Sequence, residues 1–199
     1  MTKFTQTRLL IASGNKGKVV EITQLLSDYN VEVVSTEKFD KIMEPEETGK
    51  TFEENAILKA KYYGDITKLP SLADDSGLCV DGLEGNPGIY SARWAGPKKD
   101  FNIAMKRIQE ELGNNKNKNA HFVCALALYW PDSGKIESFV GKIHGTLAFP
   151  AKGTKGFGYD PIFIPKGYDK TFGELSSDIK QKISHRANAF EQLINKCFK

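Results

Sequence analysis

The sequence predicts an α/β fold on a mixed β-sheet, and three observations carry that expectation. Short apolar, β-branched runs alternate with segments whose apolar residues recur every three to four positions, the pattern of strands followed by helices. The opening of the chain gives the first such unit, with residues 9–12, 19–26 and 31–35 reading as strand, helix and strand. Farther along, residues 120–130 and 136–145 are strand-like runs separated only by Pro131-Asp132-Ser133-Gly134, a composition suited to a tight turn between neighbouring strands.

Taken in order, the apolar run 9–12 passes directly into Ser13-Gly14-Asn15-Lys16-Gly17-Lys18. Val19, Val20, Ile22, Leu25 and Leu26 then follow helical spacing, predicting a helix that ends near Asp28 and Asn30. After the strand at 31–35, residues 41–50 form an acidic loop containing Glu44-Pro45-Glu46-Glu47-Thr48-Gly49. Thr51 with Glu54 is a capping box, opening a helix through Asn55, Ala56, Leu58, Ala60 and Tyr62 with Gly64 as its expected end. Residues 71–73 are a short strand that meets a turn, Asp74-Asp75-Ser76-Gly77, before strand character resumes at 78–80. Residues 81–96 are rich in loop-formers, 101–112 are helical, and the asparagine- and lysine-rich run 114–119 reads as a mobile tip. A second glycine-rich loop spans 153–160, a strand 161–164, and helices 175–182 and 187–198, with Ser184 placed to cap the second. No repeat or linker divides the chain, so residues 1–199 are expected to form a single domain.

Composition narrows the function classes. At 40% hydrophobic and 27% charged residues, the chain has the profile of a soluble globular protein. No window approaches the roughly 18 apolar residues of a membrane span, and the run 9–12 is too short for a signal-peptide core. Cys79, Cys124 and Cys197 are odd in number, far apart and set among apolar neighbours, which predicts reduced core residues in a cytoplasmic protein. A net charge of +3 suits an anionic ligand and is far from the basic stripe of a nucleic-acid binder.

Four constellations could carry chemistry. The loop Ser13 to Lys18 sits at a strand-to-helix junction, where free backbone N–H groups and the helix dipole favour phosphate. It lacks Walker A spacing, and an ordinary βα turn with solvated lysines is the alternative. Glu46, Glu47, Asp74 and Asp75 offer hard oxygen donors for Mg²⁺, which takes substrate phosphates as further ligands; solvated acidic turns have the same composition. In Lys155-Gly156-Phe157-Gly158-Tyr159-Asp160, rings alternate with glycines, so a planar base could lie against an aromatic while the backbone comes close, or the rings could be core. His185 and Arg186, preceded by Lys180, stand at a helix start as donors toward a ligand or as a capping feature.

Together these segments resemble the inosine triphosphate pyrophosphatase family, also called the dITP/XTP pyrophosphatases, in its bacterial branch. The matching blocks run in family order: SGNKGK, EETGKTFEENAILKA, LADDSGLCVDGLEGNPGIYSARWAG, GFGYDPIF and ISHRANAF. The resemblance implies an elongated mixed sheet flanked by helices, two lobes with the active site in the cleft between them, and a homodimer. It implies Mg²⁺ as cofactor, held by Glu46 and Asp75, with Asp75 also the proton acceptor. It further implies that Ser13, Gly14, Asn15, Lys16, Gly17 and Lys18 hold the triphosphate, that Ser76 touches substrate, and that Phe157, Gly158, Tyr159, Asp160, Lys180, His185 and Arg186 hold the base. The implied reaction is attack of water on the α phosphorus of ITP, dITP or XTP, releasing pyrophosphate. Donors such as Arg186 and Lys180 would donate to the C6 oxygen of these bases and penalise the adenine amino group. Two rival readings are a pyrophosphatase for modified pyrimidine nucleotides and a non-catalytic nucleotide or RNA binder. The His-Arg pair and GFGYD argue against the first, and the acidic set against the second.

Overall fold

The computed structural model describes residues 3–39 and 42–199. Lys41, the first residue of the expected acidic loop, and the first two residues of the polar N-terminus lie outside them. The elements run β1 (Arg8–Ala12), α1 (Lys16–Leu25), β2 (Glu32–Ser35), α2 (Phe52–Thr67), β3 (Ser71–Val80), α3 (Ser91–Trp94), α4 (Phe101–Leu112), β4 (Asn119–Trp130), β5 (Lys135–Leu147), β6 (Phe163–Pro165), α5 (Ser177–Ile183) and α6 (His185–Leu193). They build the expected α/β fold on a mixed sheet of order β2-β1-β3-β4-β5-β6. β1 pairs in parallel with β2 and β3, while β5 and β6 are antiparallel. Among the described residues no helix is long and apolar enough to cross a membrane.

By its contacts the chain divides into two compact units. Unit 1 comprises Met1–Asp75, Cys124–Gly141 and Arg186–Lys199; unit 2 comprises Ser76–Val123 and Lys142–His185.

In unit 1 the sheet is buried on both faces, and strand alternation decides which residue meets which helix. Leu9, Ile11 and Leu72 pack with Ile22 and Leu26 near α1 and with Ala189, Phe190 and Leu193 of α6. Leu10, Ala12 and Ala73 turn the other way, onto Ala56, Ala60 and Tyr63 of α2. Continued along β3, the alternation sends Asp74 to the face of α1 and α6, and Asp75 to the face of α2.

Unit 2 has its own core, in which Leu78, Val80, Phe122, Leu147 and Phe163 of the strands meet Met105, Ile108 and Leu112 of α4. Cys79, Cys124 and Cys197 are free and buried, as expected.

Four expectations are corrected. Residues 74–77 are not a turn: β3 runs unbroken through Asp74, Asp75, Ser76 and Gly77. A buried polar strand of this kind is tolerated when its carboxylates meet cations, as these do. Gly64 does not end α2, which continues to Thr67 and stops at Lys68 in the left-handed region, φ 58°. Gly64 is there for a close approach, since a Cβ would stand 2.7 Å from the Tyr129 ring and 2.8 Å from Ser71 Oγ. α1 stops at Leu25, short of Asp28. The strand expected at 161–164 begins later, at Phe163, because Asp160–Ile162 forms a 3-10 turn.

Candidate functional site

The phosphate-loop candidate lies where β1 feeds α1. Asn15 caps α1, its Oδ1 accepting from Lys18 N at 3.2 Å, and Ser13 Oγ accepts from Asn15 N at 3.2 Å. Gly14 lies close to the acidic loop, because a Cβ on it would come within 3.9 Å of Glu44 Oε1. The two lysines differ sharply. Lys16 keeps 88% of its side chain exposed and reaches only Glu37, at 4.0 Å, whereas Lys18 is 14% exposed and sits 2.5 Å from Asp74.

Asp74 is fully buried. Its Oδ1 accepts from Lys18, and its Oδ2 accepts from Arg186 Nε at 2.8 Å and from the Cys124 thiol at 3.0 Å. Burial pushes the carboxyl up, but Arg186 and Lys18 outweigh it and hold Asp74 well below the usual carboxylate range. Burial and the Asp74 charge raise the Cys124 thiol, which therefore stays protonated and donates. Arg186, 1% exposed, also pairs with Glu21 of α1.

On the opposite face of β3, Asp75 meets α2. Lys59 Nζ lies 2.9 Å from Asp75 Oδ1 and 2.6 Å from Glu47 Oε1, and Asn55 Nδ2 donates to Asp75 Oδ2 at 3.3 Å. Burial depresses the Lys59 ammonium, but Asp75 and Glu47 more than reverse this and hold it above the ordinary lysine range. Burial also pushes Asp75 up, with Lys59 pulling the other way. Glu47 is thus the acidic-loop residue brought to Asp75, while Glu46 is exposed. Among the described residues no cluster of three or more His, Cys, Asp or Glu side chains has metal-holding geometry. Two carboxylates still fit Mg²⁺, which draws most of its ligands from water and phosphate.

Unit 2 holds the base-binding candidates. Asp160, 2% exposed, accepts from Phe157 N at 2.8 Å and from Lys180 Nζ at 2.5 Å. The Lys180 ammonium stands 4.4 Å from the centroid of the Phe157 ring, so Phe157, Asp160 and Lys180 form one cluster. Gly156 makes the cluster possible, because at φ 71° any Cβ would collide with the Asp160 carboxylate. Gly158 takes the same left-handed conformation, φ 66°. Tyr159 is buried, with its hydroxyl donating to Ser91 O at 2.8 Å, and burial raises its pKa above the ordinary tyrosine range. His185 stacks on Phe122 with ring centroids 4.8 Å apart, and Ser76 is half-buried. A cavity of about 540 Å³ in this unit is lined by Asp81, His144, Thr146, Lys166 and Tyr168 among others, and by none of the candidate residues.

The structure therefore links Lys18 to Arg186 through Asp74, and Phe157 to Lys180 through Asp160. Lys59, Asn55, Glu21 and Cys124 were missed from the sequence. Asn55 and Lys59 did leave a signal: they stand four apart, interleaved with Ala56 and Ala60, on the apolar stripe of a capped helix. A lysine on such a stripe needs a buried carboxylate.

Comparisons with known proteins place the chain in a family and support its fold. The model of the Ham1 family matches residues 9–196. The chain is 53% identical to a dITP/XTP pyrophosphatase of Rhodospirillum centenum, covering 98% of this chain and 97% of that one. It is 47% identical to the dITP/XTP pyrophosphatase of Zymomonas mobilis, over 96% of this chain and 92% of the relative. Among solved structures, the Staphylococcus aureus Ham1 protein superposes with a TM-score of 0.83 at 40% identity, covering 94% of this chain and 95% of that one. A HAM1 protein from Coxiella burnetii gives 0.82 at 35% identity, over 96% and 98% of the two chains. With a family match over nearly its whole length, the chain belongs to the Ham1 family.

Proposed function

We propose that this protein is a nucleoside triphosphate pyrophosphatase that hydrolyses purine nucleotides with an oxo group at C6, ITP, dITP and XTP, to the monophosphate and pyrophosphate. The observation that carries the reading is the Lys59 ammonium bridging Asp75 and Glu47 on one face of β3. A protein that only bound anions would have no use for buried carboxylates there, whereas a hydrolase needs a proton acceptor. Names of full-length relatives support the substrate class.

Asp75 accepts the proton of the attacking water, with Lys59 and Asn55 fixing its carboxylate. The water oxygen bonds to the α phosphorus, the bond from that phosphorus to the bridging oxygen breaks, and pyrophosphate leaves with the electron pair. Backbone N–H groups of the Ser13–Lys18 loop and the Lys18 ammonium meet the growing charge, and the solvated Lys16 adds to binding of the triphosphate. Asp75, Glu47 and Glu46 would hold Mg²⁺, which, when bound, supplies charge neutralisation to the phosphates. Ser76 touches the substrate. In unit 2, Phe157 supplies a ring for the base and the backbone of 157–160 its polar contacts, with Lys180 and His185 supporting them. Arg186, anchored on Asp74 and Glu21, favours a C6 oxygen through a donor that those two carboxylates do not take.

Pyrophosphate release from ITP, XTP, dITP, ATP and GTP, with and without Mg²⁺, tests the reading. We expect kcat/KM for ITP, dITP and XTP to exceed that for ATP by orders of magnitude. Equal rates across the panel would refute base selection, and no release at all would refute the enzyme. The same Mg²⁺ arm tests the cofactor. A cytoplasmic location follows from acting on the nucleotide pool, and the expected homodimer is tested by light scattering.

A further inference from the structure

The two lysines of the Ser13–Lys18 loop are held so differently that they cannot do the same work. Lys16 is almost fully solvated. Lys18 is fixed at both ends: its backbone N–H is bonded to Asn15 and its ammonium docks on Asp74. Asp74 is itself immobilised, since Arg186 Nε and the Cys124 thiol donate to the oxygen that Lys18 leaves, and Arg186 is anchored in turn to Glu21. Glu21 lies three residues after Lys18 on α1, on the same side of the helix. The chain of contacts therefore closes on the helix from which it starts.

We propose that Asp74 is a positioning residue that pre-sets the Lys18 ammonium for the triphosphate, with Arg186 and the Cys124 thiol locking the carboxylate's orientation. The proposal rests on the pyrophosphatase reading and deepens it. A preorganised donor stabilises developing charge without reorganising as the reaction proceeds, whereas a solvated lysine must be ordered first. Lys18 therefore acts on kcat as well as on binding, and Lys16 only weakly and on binding alone. Cys124 acts as a neutral donor: it adds a hydrogen bond without adding a third cation to a carboxylate that already holds two.

The test is a double-mutant cycle on kcat for ITP, using the full chain with melting temperature as control. Lys18→Ala is expected to lower kcat by roughly 10²-fold and Asp74→Asn by roughly tenfold or more. Because Asp74 acts through Lys18, the double variant should be little slower than Lys18→Ala alone. Multiplicative losses would overturn the proposal. Should Asp74→Asn fail to fold, the milder pair decides. Cys124→Ala should lower kcat about two- to tenfold at unchanged KM, and Cys124→Ser, which keeps a donor, should restore it. An unchanged kcat in Cys124→Ala, or no rescue by serine, would overturn the thiol's role. Inorganic tripolyphosphate binding separates this from the parent reading. If wild type releases no pyrophosphate from ITP, the function fails; tripolyphosphate binding weakened more in Lys18→Ala and Asp74→Asn than in Lys16→Ala would still sustain the positioning. Equal weakening in all three would overturn it.

Discussion

Asp74 and Asp75 are neighbours in one strand, yet they meet opposite faces of the sheet and different chemistry. Asp74 is sealed among Lys18, Arg186 and Cys124 and holds its charge firmly. Asp75 shares Lys59 with the partly exposed Glu47 and carries a pKa pushed up by burial. A proton acceptor has to be reachable and has to be able to take up a proton; a positioning group has to do neither. On the proposed reading, the alternation of a strand and what each face packs against give the same residue type, one position apart, two roles.

The sharpest way to break this comparison is Asp75→Asn, which keeps the volume and removes the charge. It should lower kcat by roughly 10²- to 10⁴-fold with the fold intact, measured as pyrophosphate release beside circular dichroism. A loss no larger than that of Asp74→Asn would erase the distinction.

Next in size is Lys59→Met, which leaves Asp75 and Glu47 facing each other without their cation. Removing one partner of a buried ion pair costs about 3 kcal/mol or more, which denaturant unfolding would read. Added Mg²⁺ should recover part of this stability if the two carboxylates hold the metal.

A smaller effect is expected from Lys16→Ala. Its contact with Glu37 is solvated, so stability should be unchanged and KM for ITP should rise only a few-fold, more at low salt than at high salt. A large fall in kcat would mean that the two lysines of the loop are equivalent after all.

The smallest effect concerns unit 2, away from the carboxylates. His121 stacks on His144 and faces Lys142 and Asp81; burial, His144 and Lys142 lower its pKa, against the opposing pull of Asp81. A histidine whose folded pKa lies below its unfolded value binds fewer protons when folded. Stability is therefore full above about pH 6.5 and falls as the pH drops toward the folded pKa. Melting temperatures from pH 7.5 to 5 should show this slope in wild type, and a shallower one in His121→Asn.

Much of the fold and the general location of the candidate groups were legible in the sequence. Helical spacing marked α1, the Thr51 box marked the start of α2, and the segment 101–112 matched α4 residue for residue. Local rules suffice there, because capping and periodicity act within one element. They failed at Asp74-Asp75-Ser76-Gly77 and at Gly64. There the usual preference of acids and glycines for turns points the wrong way. In the structure the acids are neutralised by lysines and an arginine remote in sequence, and each glycine makes room for a remote side chain.

By itself, then, the sequence determined the alternation of strands and helices, the loop at the start of α1, the buried state of the three cysteines and the residue types available for phosphate, metal and base. Only the tertiary structure decided which acid meets which cation, that Lys18 and not Lys16 is held, that Arg186 is anchored to carboxylates, and that Lys59 joins Asp75 to Glu47. The physical reason is the range of the forces. Backbone periodicity and capping are set by neighbours three or four residues away. A buried charge is settled by whichever opposite charge the packing of distant segments brings within about 3 Å.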